Sequence, residues 1–316
     1  MKAIIHKKYG NPDVLQLAEV AKPAPRAGEV LVKIRATAVN QADNHLLSGT
    51  MRFSTGLLRP KQPILGADIA GRVAAVRPDA TRFQVGDAVF GDLSAHGRGG
   101  FAEYVAAPQE ALARMPDTIS FAAAAAVPLT GVTALQGLRD QGGLQPGDRV
   151  LINGASGGVG SFAVQIAKAL GGEVTAVVST AKMETVRRIG ADHVIDYTAE
   201  DFTQSEKQYD LIFDTVGSRG VGEVKRVLVE NGRFVTTVFL PALAIPWLAR
   251  TEGRRMINLM ARPNGADLAL LGEMLVDGRI TPVIDRCYPL SETPEALRYL
   301  GRGHARGKVV VMVKGG

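Results

Sequence analysis

Leu151-Ile-Asn-Gly154-Ala-Ser-Gly157-Gly158-Val-Gly160 is a short apolar run, then four clustered glycines. Behind it comes a helical spacing of apolar residues at Phe162, Ile166 and Leu170. Strand, glycine turn and helix in that order are the setting in which a dinucleotide fingerprint has physical meaning. Gly154 permits a tight turn, and Gly157 and Gly158 let backbone N–H groups approach a pyrophosphate. Gly160 lets the helix pack closely on its strand. Unpaired N–H groups at the helix start favour the phosphate charge, which makes Ser156, Gly157, Gly158 and Val159 cofactor-binding candidates. The spacing is G-x-x-G-x-x-G rather than G-x-G-x-x-G, so its context carries more weight than its pattern. The same residues satisfy G-x-S-x-G, a nucleophile elbow centred on Ser156, with Asp214 and His304 following in the order a hydrolase needs. That elbow asks nothing of Gly160, so a serine hydrolase stands as the remote alternative.

The next strand addresses the choice of cofactor. About 20 residues past the loop, an NAD site places Asp or Glu to bind the ribose 2′-hydroxyl. Here the strand ends Val177-Val178-Ser179-Thr180-Ala-Lys182, with no carboxylate of its own. Two hydroxyls able to donate and one lysine charge favour a 2′-phosphate, so the expected cofactor is NADPH, held there by Ser179, Thr180 and Lys182. A serine–threonine helix cap is the competing reading of these residues.

Outward from this centre, the chain divides by texture. Before it, runs such as Glu29-Val-Leu-Val-Lys-Ile-Arg35 alternate by two and break at glycine or proline, as antiparallel strands do. From about Phe121 the pattern changes. Arg149–Asn153, Glu173–Val178, His193–Asp196, Asp210–Asp214 and Arg233–Val238 read as strands buried on both faces, with helices between the early pairs. Such alternation predicts a parallel doubly wound sheet. After about Asp267 a helix precedes two further strands, Ile280–Ile284 and Lys308–Val313, placed to return to the first sheet.

The 316 residues fit about two domains. An apolar share of 46% and a charged share of 22% exclude a disordered chain. The single cysteine, Cys287, excludes a disulfide scaffold and a four-cysteine metal site. The opening Met1-Lys-Ala-Ile-Ile-His-Lys-Lys8 has charges where a signal peptide needs an apolar core, and the longest apolar stretch, Val235 to Ala249, is too short to span a bilayer. These features predict a cytoplasmic protein with no membrane insertion. The net charge of +6 comes from dispersed residues with few aromatics, which argues against nucleic acid and for an anionic small ligand.

Taken together, the chain resembles the medium-chain dehydrogenase/reductase superfamily, in its zinc-free quinone oxidoreductase (zeta-crystallin-like) branch. The resemblance runs from end to end. It rests on Ala38-Val-Asn40-Gln-Ala-Asp43, Ile64-Leu-Gly-Ala-Asp68-Ile-Ala-Gly71, Val85-Gly-Asp-Ala-Val-Phe-Gly91 and Gly100-Phe-Ala-Glu-Tyr104. Pro128-Leu-Thr130-Gly-Val-Thr133-Ala, the glycine loop, Gly190-Ala-Asp-His-Val-Ile-Asp-Tyr197 and His304-Ala-Arg-Gly-Lys308 complete it. The resemblance implies an α/β protein with a β-rich GroES-like catalytic domain (1–121 plus 268–316) split around an inserted Rossmann domain (122–267), and an active site in the cleft between them. It also implies a homodimer or higher homo-oligomer.

Departures from the zinc-dependent members are equally informative. Asn40 stands where they carry a cysteine ligand and Ala67 where they carry a histidine, and Gly91 to Gly100 is too short for a structural zinc lobe. Without thiolate or imidazole ligands, no zinc is expected. Hydride transfer from NADPH to a quinone or an α,β-unsaturated carbonyl, which conjugation already makes electrophilic, is the implied reaction. By resemblance Asn40 lies beside the nicotinamide, His45 takes the place of a proton-relay histidine, and Asp43 is scaffold. Thr130 approaches the nicotinamide, Tyr197 the adenine ribose, Val216 and Gly217 the ribose, and Val238 and Phe239 the carboxamide. Lys308 reaches the cofactor or is a strand-edge charge. The apolar segment 241–260 walls the acceptor pocket or covers a subunit contact. A nucleotide-binding sensor or structural protein with little turnover remains the main alternative.

Overall fold

The computed structural model describes residues 1–238, 250–251 and 253–314. The chain forms two compact units: residues 1–129 with 263–277 and 284–316, and residues 130–262 with 278–283. The short helix Phe121–Ala125, at the change of texture, packs with the first unit on the strands Glu29–Val39 (β3) and Asp68–Val76 (β4).

The first unit is β-rich. Lys2–Ile5 (β1) and Gln16–Glu19 (β2) form an antiparallel pair. Its main sheet, among the described residues, joins β3 and β4 to Ala88–Asp92 (β5), Tyr104–Pro108 (β6) and Leu112–Arg114 (β7). β3 is the hub because its eleven residues are long enough to pair with β4 along most of their length, with β6 at residues 29–33 and with the strand Lys308–Met312 at residues 36–39. The core behind it gathers Ile4, Val30, Val32, Ile34, Ile69, Val89 and Phe101.

The second unit carries the strands Arg149–Asn153 (β8), Glu173–Val178 (β9), His193–Asp196 (β10), Tyr209–Asp214 (β11), Leu228–Thr236 (β12), Arg250–Thr251 (β13) and Arg254–Asn258 (β14). Their order among the described residues is β10-β9-β8-β11-β12-β14-β13, parallel except for the last pair. That is a doubly wound sheet with its switch point between β8 and β11. Leu151, Val177, Ile212 and Phe234 are buried on it, as the unbroken apolar runs require. β12 begins at Leu228, earlier than its run of apolar residues, because Leu228 pairs with Tyr209 before the register shifts.

Near the C-terminus the structure corrects one element. Ile280–Val283 is not a strand: Pro282 has no N–H for a ladder, and the Thr281 N–H donates to the Gln165 side chain at 2.7 Å. The strand is Ile284–Pro289 (β15), parallel to Lys308–Met312 (β16), and β16 joins β3 in the first unit's sheet.

Candidate active site

At the C-terminal end of β8 the chain turns sharply. Gly154 sits at φ 80°, a conformation that L side chains avoid, and its N–H donates to the Val177 carbonyl at 3.2 Å. The Gly157 N–H closes the turn on the Gly154 carbonyl at 3.0 Å, and the helix Gly158–Ala169 starts at once. A Cβ on Gly160 would collide with the Gly154 carbonyl, so only glycine lets the helix lie this close to its strand. A Cβ on Gly157 would meet nothing nearer than that same carbonyl at 3.4 Å. The first helical N–H groups, of Gly158 and Val159, have no intrahelical acceptor and point out of the helix start. Open space, aligned donors and the positive end of the helix dipole together fit a pyrophosphate.

The floor of this turn is polar and closed. Asn153 Nδ2 donates to Asp214 Oδ1 at 2.9 Å across the switch point, and Asp214 also accepts the N–H groups of Val216 and Gly217. His193, the histidine of this unit, lies at the start of β10, the opposite end of a parallel sheet from the glycine turn. Among the described residues, the second unit by itself therefore brings no histidine to Ser156; His304, the histidine expected there, belongs to the first unit.

At the end of β9, Ser179 is half-buried and precedes the single turn Thr180–Lys182. Here the structure adds a carboxylate that the strand's own sequence lacks. Asp196 ends β10, beside Val178 in the parallel pair, and accepts the Thr180 hydroxyl proton. It also accepts the Thr198 N–H at 2.9 Å and hydroxyl at 2.7 Å, and these bonds hold its pKa below the usual carboxylate value. Thr180 thus presents lone pairs rather than the donor expected of it; Ser179 and Lys182 remain as the phosphate-facing candidates. Tyr197 and Val216 are exposed. Thr130 is buried in the helix Pro128–Leu135. Phe239 lies outside the described residues, as does the segment 241–249.

The first unit holds a second polar constellation, wholly buried. Lys308 lies on β16, inside the sheet between β15 and β3, and is 2% exposed; it is no strand-edge charge. Its ammonium donates to Asn40 Oδ1 at 2.7 Å and Asp68 Oδ2 at 3.0 Å. Asn40 Nδ2 donates to the same Asp68 oxygen at 2.9 Å, and Asp68 Oδ1 accepts the Leu129 N–H at 2.7 Å. Both ends of the Asn40 amide are therefore engaged within the fold. Asp43, one helical turn on, accepts the Asn40 N–H at 2.8 Å and lies 3.6 Å from Arg98 Nη1. Burial is the main cause that pushes the Asp43 carboxyl up to about 6, against the pull of Arg98. Burial also raises Asp92 to about 6, with the nearby Asp68 charge adding to it. His45 is on the helix Gln41–Ser48 but exposed to solvent. Position 67 is a buried alanine, and among the described residues no group of three or more His, Cys, Asp or Glu is arranged to hold a metal ion.

Reading the sequence alone missed the Lys308–Asp68 pair, Arg98 and Asp92. One signal was present: Asp68 interrupts an apolar run, Ile64-Leu-Gly-Ala-Asp68-Ile-Ala, where a carboxylate needs a partner.

The chain is similar to known proteins over nearly its whole length. Residues 26–117 match the alcohol dehydrogenase GroES-like domain and residues 189–311 the zinc-binding dehydrogenase family. The 2-methylene-furan-3-one reductase of Solanum lycopersicum is 36% identical, across 98% of this chain and 79% of its own. The chain belongs to the medium-chain dehydrogenase/reductase superfamily, in its quinone oxidoreductase-like branch. The chloroplastic NADPH-dependent alkenal/one oxidoreductase of Arabidopsis thaliana is 33% identical across 98% of this chain and 79% of its own. The solved structure of the quinone oxidoreductase from Coxiella burnetii superposes with a TM-score of 0.91 at 31% identity, covering 99% of both chains. The two units are accordingly the family's GroES-like and Rossmann-like domains.

Proposed function

We propose that this protein is an NADPH-dependent reductase of quinones or α,β-unsaturated carbonyls that works without zinc. The observation that carries the reading is the open glycine turn at the switch point of the doubly wound sheet, whose donors the fold leaves for a pyrophosphate. The names of the relatives, reductases of quinones and of alkenals and enones, support the acceptor class.

The N–H groups of Gly158 and Val159 hold the pyrophosphate charge, and Ser179 and Lys182 hold the 2′-phosphate. Thr180, its proton committed to Asp196, accepts from a ribose hydroxyl. NADPH, when bound, supplies the hydride. The acceptor's conjugation delocalises the charge that hydride addition creates, so the chain's part is to orient and to exclude water. Asn40, Lys308 and Asp68 do so as a pre-set scaffold, since their hydrogen bonds are already made. The zinc expected from the family's description does not fit these residues. Position 40 offers an amide already bonded at both ends, position 67 a methyl group, and Lys308 adds a buried positive charge beside them.

An NADPH-oxidation screen over quinones, enones and aldehydes tests the proposal. Turnover is expected with the first two classes and little with simple aldehydes, which need Lewis-acid help. Tight NADPH binding with no oxidation by any acceptor would favour a sensor or structural protein instead.

A further inference from the structure

Exposed large apolar side chains concentrate in one stretch of the first unit. Phe53 is 91% and Leu58 89% exposed, with Leu57 and Met51 also at the surface, all within eight residues. The stretch is cationic as well: Arg52, Arg59 and Lys61 are exposed, and from Asn44 to Ala67 the sequence has no Asp or Glu. The N-terminal segment brings two more cations to it. His6 donates its backbone N–H to the Pro63 carbonyl at 2.8 Å, and Tyr9 Oη donates to the Gly56 carbonyl at 2.6 Å. Lys7 and Lys8, between these anchors, are exposed. Asp13, the nearest acid along that segment, is already paired with Arg298 at 2.6 Å. Charges dispersed along the sequence thus become five cations around four solvent-facing apolar side chains.

Water is a poor partner for such a patch. A second copy that met this patch with its own is also poor, because the stretch from Asn44 to Ala67 offers no acid to pair with these cations. Nucleic acid would satisfy the cations and leave Leu57 and Leu58 with nothing apolar to meet. An anionic bilayer surface satisfies both, with the cations at the headgroups and the apolar tips among the upper acyl carbons. We propose that the Met51–Lys61 loop with Lys7 and Lys8 docks this protein on anionic lipid surfaces, without any segment crossing the bilayer. Such docking goes beyond the reductase reading and is independent of it.

Co-sedimentation with phosphatidylcholine vesicles, with and without phosphatidylserine, tests this on the full chain. Wild-type protein is expected to bind the phosphatidylserine vesicles and to be released by salt. The exposed double variants Phe53→Ser/Leu58→Ser and Arg59→Glu/Lys61→Glu should each weaken that binding by roughly tenfold or more, with unchanged melting temperature. No binding by the wild type would overturn the proposal. So would undiminished binding by both variants, which would mean diffuse attraction by net charge. Self-association abolished by Phe53→Ser/Leu58→Ser would reassign the patch to a subunit contact, and tighter binding to a duplex oligonucleotide than to vesicles would reassign it to nucleic acid; either result overturns it too.

Discussion

Two polar regions of this molecule, both rich in hydrogen-bonding groups, solve opposite problems. The Lys308–Asn40–Asp68 cluster is closed: its donors and acceptors meet one another within the buried core. The glycine turn at Gly154–Gly160 is open: its helix-start N–H groups are donors that the fold itself does not use. The first region is satisfied within the fold, and the second leaves donors for which an anion is the proposed partner. Mutating the first should therefore register in stability, and mutating the second in ligand affinity.

The largest effect should come from the closed cluster. Lys308→Met leaves Asp68 buried without its cation, and breaking a buried pair from one side costs about 3–5 kcal/mol. Urea denaturation should show that loss, and the double variant Lys308→Met/Asp68→Asn should recover part of it. A single variant as stable as wild type would mean that the cluster is not energetically closed.

Protonation sharpens the same contrast. The folded pKa of Asp43, about 6, lies above its ordinary value of 3.8, so folding favours the protonated form. Its contribution to stability is fully present below about pH 4 and is lost as pH rises through about 6. At about 1.4 kcal/mol per pKa unit, this removes on the order of 2–3 kcal/mol over that window. Asp43→Asn should flatten the profile of stability against pH between these values. An unchanged slope would assign the dependence to other groups, Asp92 first.

For the open region the expected effect is on affinity. Lys182→Glu replaces attraction to a 2′-phosphate with repulsion, and one charge-assisted contact is worth about 1.5–3 kcal/mol, roughly ten- to a hundredfold. NADPH binding should weaken by that factor while NADH binding changes little and the melting temperature holds. Equal losses for both nucleotides would remove Lys182 from the 2′-phosphate site.

The two regions also differ in how far the sequence discloses them. The glycine turn is local: strand, turn and helix lie within about twenty residues, so their order along the sequence points to it. The doubly wound sheet is legible for the same reason, because a strand covered on both faces shows as an unbroken apolar run. Lys308 and Asp68 are 240 positions apart and meet only because β16 and β4 both pair with β3. Nothing local marks that meeting except a carboxylate in an apolar run. Asp196 teaches the same lesson on a smaller scale. Ser179 to Lys182, directly after β9, contain no acid, yet the neighbouring parallel strand ends beside them and delivers one. Pairings between strands, rather than propensities within them, place these charges.

We propose that hydride transfer here needs the fold's own fixed polar scaffold and no metal. That proposal is tested most directly by the initial rate of NADPH oxidation with a quinone acceptor, before and after prolonged EDTA treatment, with zinc content measured on the same samples. The rate is expected to be unchanged by the chelator, with no stoichiometric zinc in either sample. A rate abolished by EDTA and restored by added zinc alone would contradict it.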